Sequence, residues 1–297
     1  MPATRFVRAS DGIDLAVTEY GVHGAPTVVC VHGYPDNSSV WDALARGLAA
    51  TYHVVVYDVR GTGASGKPMR REAYRLDQLA DDLRGVLDAV SPERPVHLVG
   101  HDWGSIQAWH AITHERLANR VASYTSISGP CLDHAAAWMR SGLRRGGARP
   151  GQVARQLVRT SYVLLFSLPI IPEWLWRKGI LDRVLAAKAG REPAPLPDKI
   201  NGVQLYRANM LHRLARPQPR STAIPVQVIA PTRDPFVTSA LQTNASRPWV
   251  RDLRVITVDD GHWVIATQPA VVARHVSALI EYARDRELAG EPPLNRP

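Results

Sequence analysis

Three residues of this sequence have the types and the chain order that nucleophilic catalysis requires. Gly100-His101-Asp102-Trp103-Gly104 follows an apolar run at 96–99 and leads into a helical pattern at 105–114. A residue at the apex of a tight strand-to-helix turn projects alone, and glycines beside it remove side chains that would clash. Here the apex residue is an aspartate. A carboxylate that attacks saturated carbon becomes an alkyl ester, which makes epoxides and alkyl halides better substrates than esters or amides. Breaking that ester needs a base and a group to orient the base. Asp234, in PTRDPFV after an apolar run at 226–230, and His262, in VDDGHWV after a run at 253–258, follow in the order nucleophile, acid, histidine. In that arrangement Asp102 carries the ester, His262 takes a proton from water, and Asp234 fixes the imidazole tautomer. The tetrahedral intermediate calls for backbone N–H donors. The candidates are Trp103, directly after the nucleophile, and Tyr34, in VHGYP after a run at 27–31.

Positioning such residues is the task of alternating strands and helices. Segments 5–9 and 13–20 alternate apolar and polar residues around Asp11-Gly12 and read as an antiparallel hairpin. Buried-strand runs follow at 27–31, 54–57, 96–99, 121–127, 226–230 and 253–258. Helical patterns lie near 40–50, 76–90, 105–114, 239–245 and 270–285. This order predicts an α/β fold with a mostly parallel central sheet covered on both faces. The alternation breaks between about 130 and 225, a stretch with Trp138, Trp174, Trp176, many arginines and the sequence REPAPLPDK. It has helical segments but no convincing core strand. The expected organisation is a core of 1–130 and 221–290, an inserted helical cap of 131–220 over the carboxyl edge of the sheet, and a tail of 291–297.

Composition narrows the function classes. A chain of 297 residues with 45 % hydrophobic content can bury a sizeable core. No apolar run is long enough to span a bilayer, and the first residues lack a secretory apolar core. Two cysteines, Cys30 and Cys131, do not make a disulfide framework, and a cytoplasmic location is expected. The net charge of +9 could steer acidic partners or favour anionic membrane surfaces. The clearest basic cluster, Arg140, Arg144, Arg145 and Arg149, lacks interleaved aromatics, so no nucleic-acid partner is expected. Gly61-Thr62-Gly63-Ala64-Ser65-Gly66 fits a dinucleotide fingerprint, but Lys67-Pro68 follows where a helix should open. The segment therefore reads as a structural loop, and neither a cofactor nor a metal is expected.

Taken together, VHGYPDNSSVWD, YDVRGTGASGKP, VGHDWGS, PTRDPFV and DDGHWV resemble the α/β-hydrolase-fold epoxide hydrolases across roughly residues 5–285. The resemblance implies the same Asp–Asp–His roles for Asp102, Asp234 and His262. It also implies two cap tyrosines that donate to the epoxide oxygen as the ring opens. Tyr206, in GVQLYRANM, and Tyr162, in SYVLLFSLP, match those segments. Phenols titrate near ~10 and stay protonated at neutral pH.

Rival assignments stay open at this stage. Asp133, Asp259 and Asp260 compete with Asp234, and His32 and His101 read as loop supports beside the motif glycines. A haloalkane dehalogenase would share Asp102, His262 and Trp103, with Trp138, Trp174 or Trp176 as a second halide donor. A catalytically idle binding protein on the same fold is a further alternative, and so is a hydrolase domain of a longer protein fused to a short-chain dehydrogenase. The apolar run YVLLFSLPIIPEWLW suggests a lipophilic epoxide substrate. Contact with a membrane surface and homodimer formation are left open.

Overall fold

The computed structural model describes residues 3–289 apart from 115, 118, 144–148 and 190–193. The tail at 291–297, and Arg144 and Arg145 of the basic cluster, lie outside the described residues. Among the described residues, eight strands form one sheet in the order β1-β2-β4-β3-β5-β6-β7-β8. They are β1 (Ala3–Arg8), β2 (Asp14–Gly21), β3 (Thr27–Val31), β4 (His53–Tyr57), β5 (Val96–His101), β6 (Val121–Ile127), β7 (Val226–Pro231) and β8 (Leu253–Val258). β1 and β2 form the antiparallel hairpin, β2 pairs antiparallel with β4, and every other pairing is parallel.

The strand sequences explain why the sheet is covered on both sides. TVVCV and HVVVY are buried along their whole length, as strands sandwiched between helix layers must be. Successive side chains point to opposite faces. Val29, Val31, Val55 and Tyr57 join one apolar cluster, while Val28, Cys30, Val54 and Val56 join the other. The first cluster is closed by α2 (Leu76–Val90) and α3 (Trp103–Thr113), the second by α1 (Asp42–Leu48), α11 (Val264–Thr267) and α12 (Pro269–Leu288). α2 shows the mechanism: Leu76, Leu79, Leu83 and Leu87 are buried at helical spacing, each side chain worth about 1.5–3 kcal/mol of transfer free energy. α10 (Ser239–Asn244) follows β7, and the hydroxyl of its N-cap Thr238 accepts from Leu241 N–H.

Among the described residues, six helices lie between β6 and β7: α4 (Leu132–Leu143), α5 (Pro150–Arg159), α6 (Tyr162–Ser167), α7 (Ile171–Arg177), α8 (Ile180–Ala189) and α9 (Leu196–Ala215). Pro169 and Pro172 separate α6 from α7, and Gly179 separates α7 from α8. Buried polar contacts fasten this insertion to the rest of the chain. Asp198 accepts from Gly63 N–H at 3.1 Å and from Asn37 Nδ2 at 3.1 Å. Asn209 accepts from Leu76 N–H at 2.9 Å and donates to the Tyr74 carbonyl at 2.8 Å. Gln156 accepts from both the amide and the hydroxyl of Thr238 at 2.8 Å. The glycine-rich loop at 61–66 wraps Asp58 instead of leading into a helix. Ala64 N–H donates to the Asp58 carboxylate at 2.8 Å, and a Cβ on Gly63 would lie 2.0 Å from that same carboxylate.

Candidate active site

Asp102 sits between the end of β5 and the start of α3 with φ 51° and ψ −122°. A non-glycine residue there is strained, and such strain persists only where the surroundings fix it. The turn is fixed by close packing. A Cβ on Gly100 would lie 2.6 Å from Ser105 Cα, and one on Gly104 would lie 2.0 Å from the Val31 carbonyl oxygen. The Asp102 carbonyl accepts from Ile106 N–H at 3.0 Å, so the helix begins at Trp103 rather than at the expected Ser105.

The two carboxylate oxygens of Asp102 face different partners. Oδ1 accepts from Tyr34 N–H at 2.8 Å, and Oδ2 lies 3.5 Å from His262 Nε2. His262 Nδ1 donates to Asp234 Oδ2 at 2.9 Å, which leaves Nε2 as the nitrogen that faces Asp102. Asp234 is fully buried. Its Oδ1 accepts from the amides of Phe236 at 2.8 Å and Val237 at 3.1 Å. Burial alone would raise the Asp234 pKa, but the His262 charge and these amides outweigh it and hold it below the usual range. For His262, burial favours the neutral ring, yet the Asp234 and Asp102 carboxylates reverse this and hold its pKa up at about 10. The resting site therefore carries an imidazolium between two carboxylates.

The insertion closes the other side. Tyr162, at the first turn of α6, and Tyr206, in the buried stripe of α9, line one cavity with Asp102 and His262. Their rings meet edge to face with centroids 5.9 Å apart. Burial and the Asp102 charge raise both phenol pKa values well above the ordinary value, and Tyr162 raises that of Tyr206 further, whereas a hydrogen bond from Tyr206 offsets part of the rise at Tyr162. The Trp103 ring packs edge to face on the Tyr206 ring, with centroids 4.9 Å apart. The rest of the wall is apolar, with Leu165, Phe166, Trp176, Leu185 and Phe236. The free volume is about 100 Å³.

All seven residues singled out from the sequence, Asp102, Asp234, His262, Tyr162, Tyr206, Tyr34 and Trp103, thus gather at one place. The competing carboxylates do not. Asp133 caps Gln218 N–H and pairs with Arg213, Asp259 is exposed beside Arg233, and Asp260 bonds Thr267 and Gln268. His32 accepts from Val59 N–H at 2.9 Å, and His101 donates to the His262 carbonyl at 2.9 Å. Both sit where a loop support would. Of the three tryptophans, Trp176 reaches the cavity, Trp138 is buried against Val153 and Val237, and Trp174 is half exposed.

Tyr34 lines the cavity, as its place in the early loop suggests, but the tether made by its hydroxyl and the aromatic wall of Phe236 and Trp263 are not legible in the sequence. The Tyr34 hydroxyl accepts from Trp176 Nε1 at 2.7 Å and donates to the Lys199 carbonyl at 2.9 Å. The residue whose amide holds the Asp102 carboxylate is therefore tethered to the insertion. Its position after VHG in the early loop was the only sequence signal that could have marked it.

Comparison with known proteins places this geometry in context. A family model described as the alpha/beta hydrolase fold matches residues 26–165. "Epoxide hydrolase A" of Mycobacterium tuberculosis is 30% identical, over 97% of this chain and 99% of that protein. "Probable oxidoreductase EphD" of the same organism is 33% identical over 97% of this chain but only 52% of that protein. The chain thus spans about half the length of these EphD relatives. Among solved structures, a Bacillus megaterium epoxide hydrolase in complex with an inhibitor superposes with a TM-score of 0.77 at 20% identity, over 93% of this chain and 100% of that one. That likeness speaks for the fold.

Proposed function

This chain belongs to the α/β-hydrolase-fold epoxide hydrolases, and from that premise we propose that it converts an epoxide to a vicinal diol through a covalent ester on Asp102. The observation that carries the reading is the Asp102 carboxylate itself. One of its oxygens is held by Tyr34 N–H, the other faces His262, and two phenols stand in the same cavity. Segment 131–220 acts as the cap that supplies those phenols.

Asp102 Oδ2 attacks a ring carbon, and the C–O bond to the epoxide oxygen breaks. The oxygen leaves as an alkoxide, which takes a proton from Tyr206 or Tyr162. An alkoxide is more basic than an ordinary phenolate, so the phenol is the proton donor. Esterification then removes the negative charge of Asp102 beside His262. The imidazolium loses one of the two carboxylates that hold its proton, and the phenolate recovers that proton. Neutral His262, oriented by Asp234, now takes a proton from water as the water attacks the ester carbonyl. The carbonyl oxygen descends from Oδ1, so Tyr34 N–H already points at the site of the developing oxyanion, with the Trp103 amide as its partner. One such donor is typically worth about 100- to 1000-fold in rate. Collapse expels the diol oxygen, which takes the proton from His262. The proton left on Asp102 passes to His262, and the resting charges return.

Haloalkane dehalogenation is the weaker reading, because the Trp103 indole packs against Tyr206 and the early-loop position carries Tyr34. The apolar wall favours a lipophilic substrate. A free volume of about 100 Å³ is below the ~300 Å³ at which drug-sized pockets begin, so a long substrate requires the cap helices to part. The test is a panel of epoxides and haloalkanes with Asp102→Asn, Tyr162→Phe and Tyr206→Phe variants. Diol formation abolished by the first and weakened by the other two is expected. Halide release indifferent to both tyrosines would overturn the reading.

A further inference from the structure

The outer surface of the cap carries apolar side chains where an amphipathic helix should turn polar. α6 and α7 pack on each other and on α9, and they bury Val163, Phe166 and Trp176 on the inward side. Their outward side presents Leu164, Leu168, Ile170, Ile171 and Trp174, with Val158 exposed at the nearby end of α5. Single exposed apolar residues are ordinary, but a contiguous group of them marks a surface meant for contact. Ile170 is the sharpest case. It is 75% exposed and sits at φ 66°, a conformation costly for a β-branched residue. Packing among the described residues does not repay that cost, since most of the side chain faces solvent.

Charge then selects the partner. Between 150 and 187 the sequence contains two carboxylates, Glu173 and Asp182, and both are paired with cations of α9, Arg207 and Lys199. The exposed charges of the same stretch are Arg155, Arg177, Lys178 and Arg183. An apolar crest with tryptophan, flanked by cations and with both of its carboxylates neutralised, matches the interface of an anionic bilayer, where apolar chains enter the headgroup boundary and basic ones meet lipid phosphates. We propose that this face of the cap docks reversibly on anionic membrane surfaces. The docking stands apart from the chemistry of Asp102. That a lipophilic epoxide enters from the bilayer, past the Leu165 and Phe166 that line the cavity from these helices, rests on the function proposed above.

The test measures binding without substrate, so it does not depend on turnover. The purified chain is sedimented with phosphatidylcholine vesicles and with vesicles holding about a third phosphatidylglycerol. Binding is expected on the second kind only, and added salt should weaken it. A Leu164→Ser/Ile170→Ser/Trp174→Ser variant should lose binding by at least about tenfold, and an Arg177→Ala/Lys178→Ala/Arg183→Ala variant should lose the preference for anionic lipid. An unchanged melting temperature shows that each variant is folded. Absence of binding by the parent chain, or binding unaffected by either set of changes, would overturn the proposal. So would a triple variant that only converts a dimer to a monomer in lipid-free solution, which would assign this face to a second copy.

Discussion

Replacing Asp102 with asparagine should bring the His262 imidazolium much closer to losing its proton at neutral pH. The side chain keeps its shape and can still accept the Tyr34 N–H, but its charge is lost, as it is in the covalent ester. At 3.5 Å and an effective dielectric constant of about 20, opposite unit charges attract by about 5 kcal/mol, an upper bound of between three and four pKa units. Measured carboxylate neighbours usually move a partner by about 1–3 units. We therefore expect the His262 pKa to fall from about 10 by about two units or more. The side-chain amide nitrogen that Asp102→Asn introduces would then donate toward Nε2, which favours the neutral ring further. Imidazole titration by NMR of the wild type and the variant measures this directly. Asp234→Asn is the companion, and because Asp234 is closer, at 2.9 Å, its removal should lower the pKa more. A His262 pKa that stays near 10 in Asp102→Asn would refute the idea that esterification switches the base on.

Two further outcomes follow from packing and burial. A Cβ at position 202 would lie 2.2 Å from the Tyr34 ring, so Gly202→Ala should cost about 1–3 kcal/mol of stability and lower kcat by moving the Tyr34 amide; unchanged melting and unchanged kcat would show that α9 does not set this residue. Burial lowers the pKa of both His97 and His134 to about 4. Their neutral forms therefore contribute stability that is complete above the unfolded value near ~6.5 and is lost as pH falls through about 4, on the order of 3 kcal/mol each. The melting temperature should drop across that window, and His97→Gln or His134→Gln should flatten the drop; a pH-independent melting temperature there would contradict it.

The sheet was legible because its strands are valine-rich apolar runs with few rivals, and the Asp102 turn because glycines at 100 and 104 bracket it between a strand and a helix. The hairpin around Asp11-Gly12 and the helix Leu76–Val90 were equally plain, since each has a single dominant period. The start of α3 was misplaced by two residues because Gly104 reads as part of a turn, whereas its missing side chain lets the helix approach Val31. The four-residue α11 is too short to leave a periodic signal. In the insertion, prolines and glycines cut α5 to α8 into pieces of six to ten residues, and their order in space depends on packing that no local pattern encodes. The cavity wall was hidden for the same reason. Phe236 and Trp263 meet Phe166 and Trp176 only after the insertion folds back, and the tether of Tyr34 to Lys199 joins residues far apart in the chain.

The central claim is that Asp102 forms the covalent bond to substrate. A single turnover in heavy-oxygen water, with enzyme in excess over a lipophilic epoxide, tests it most directly. The account predicts that the first diol carries no heavy oxygen and that the label appears in the peptide containing Asp102, because water attacks the ester carbonyl carbon. Heavy oxygen in the first diol, with none in that peptide, would mean that water opens the ring itself and would contradict the account.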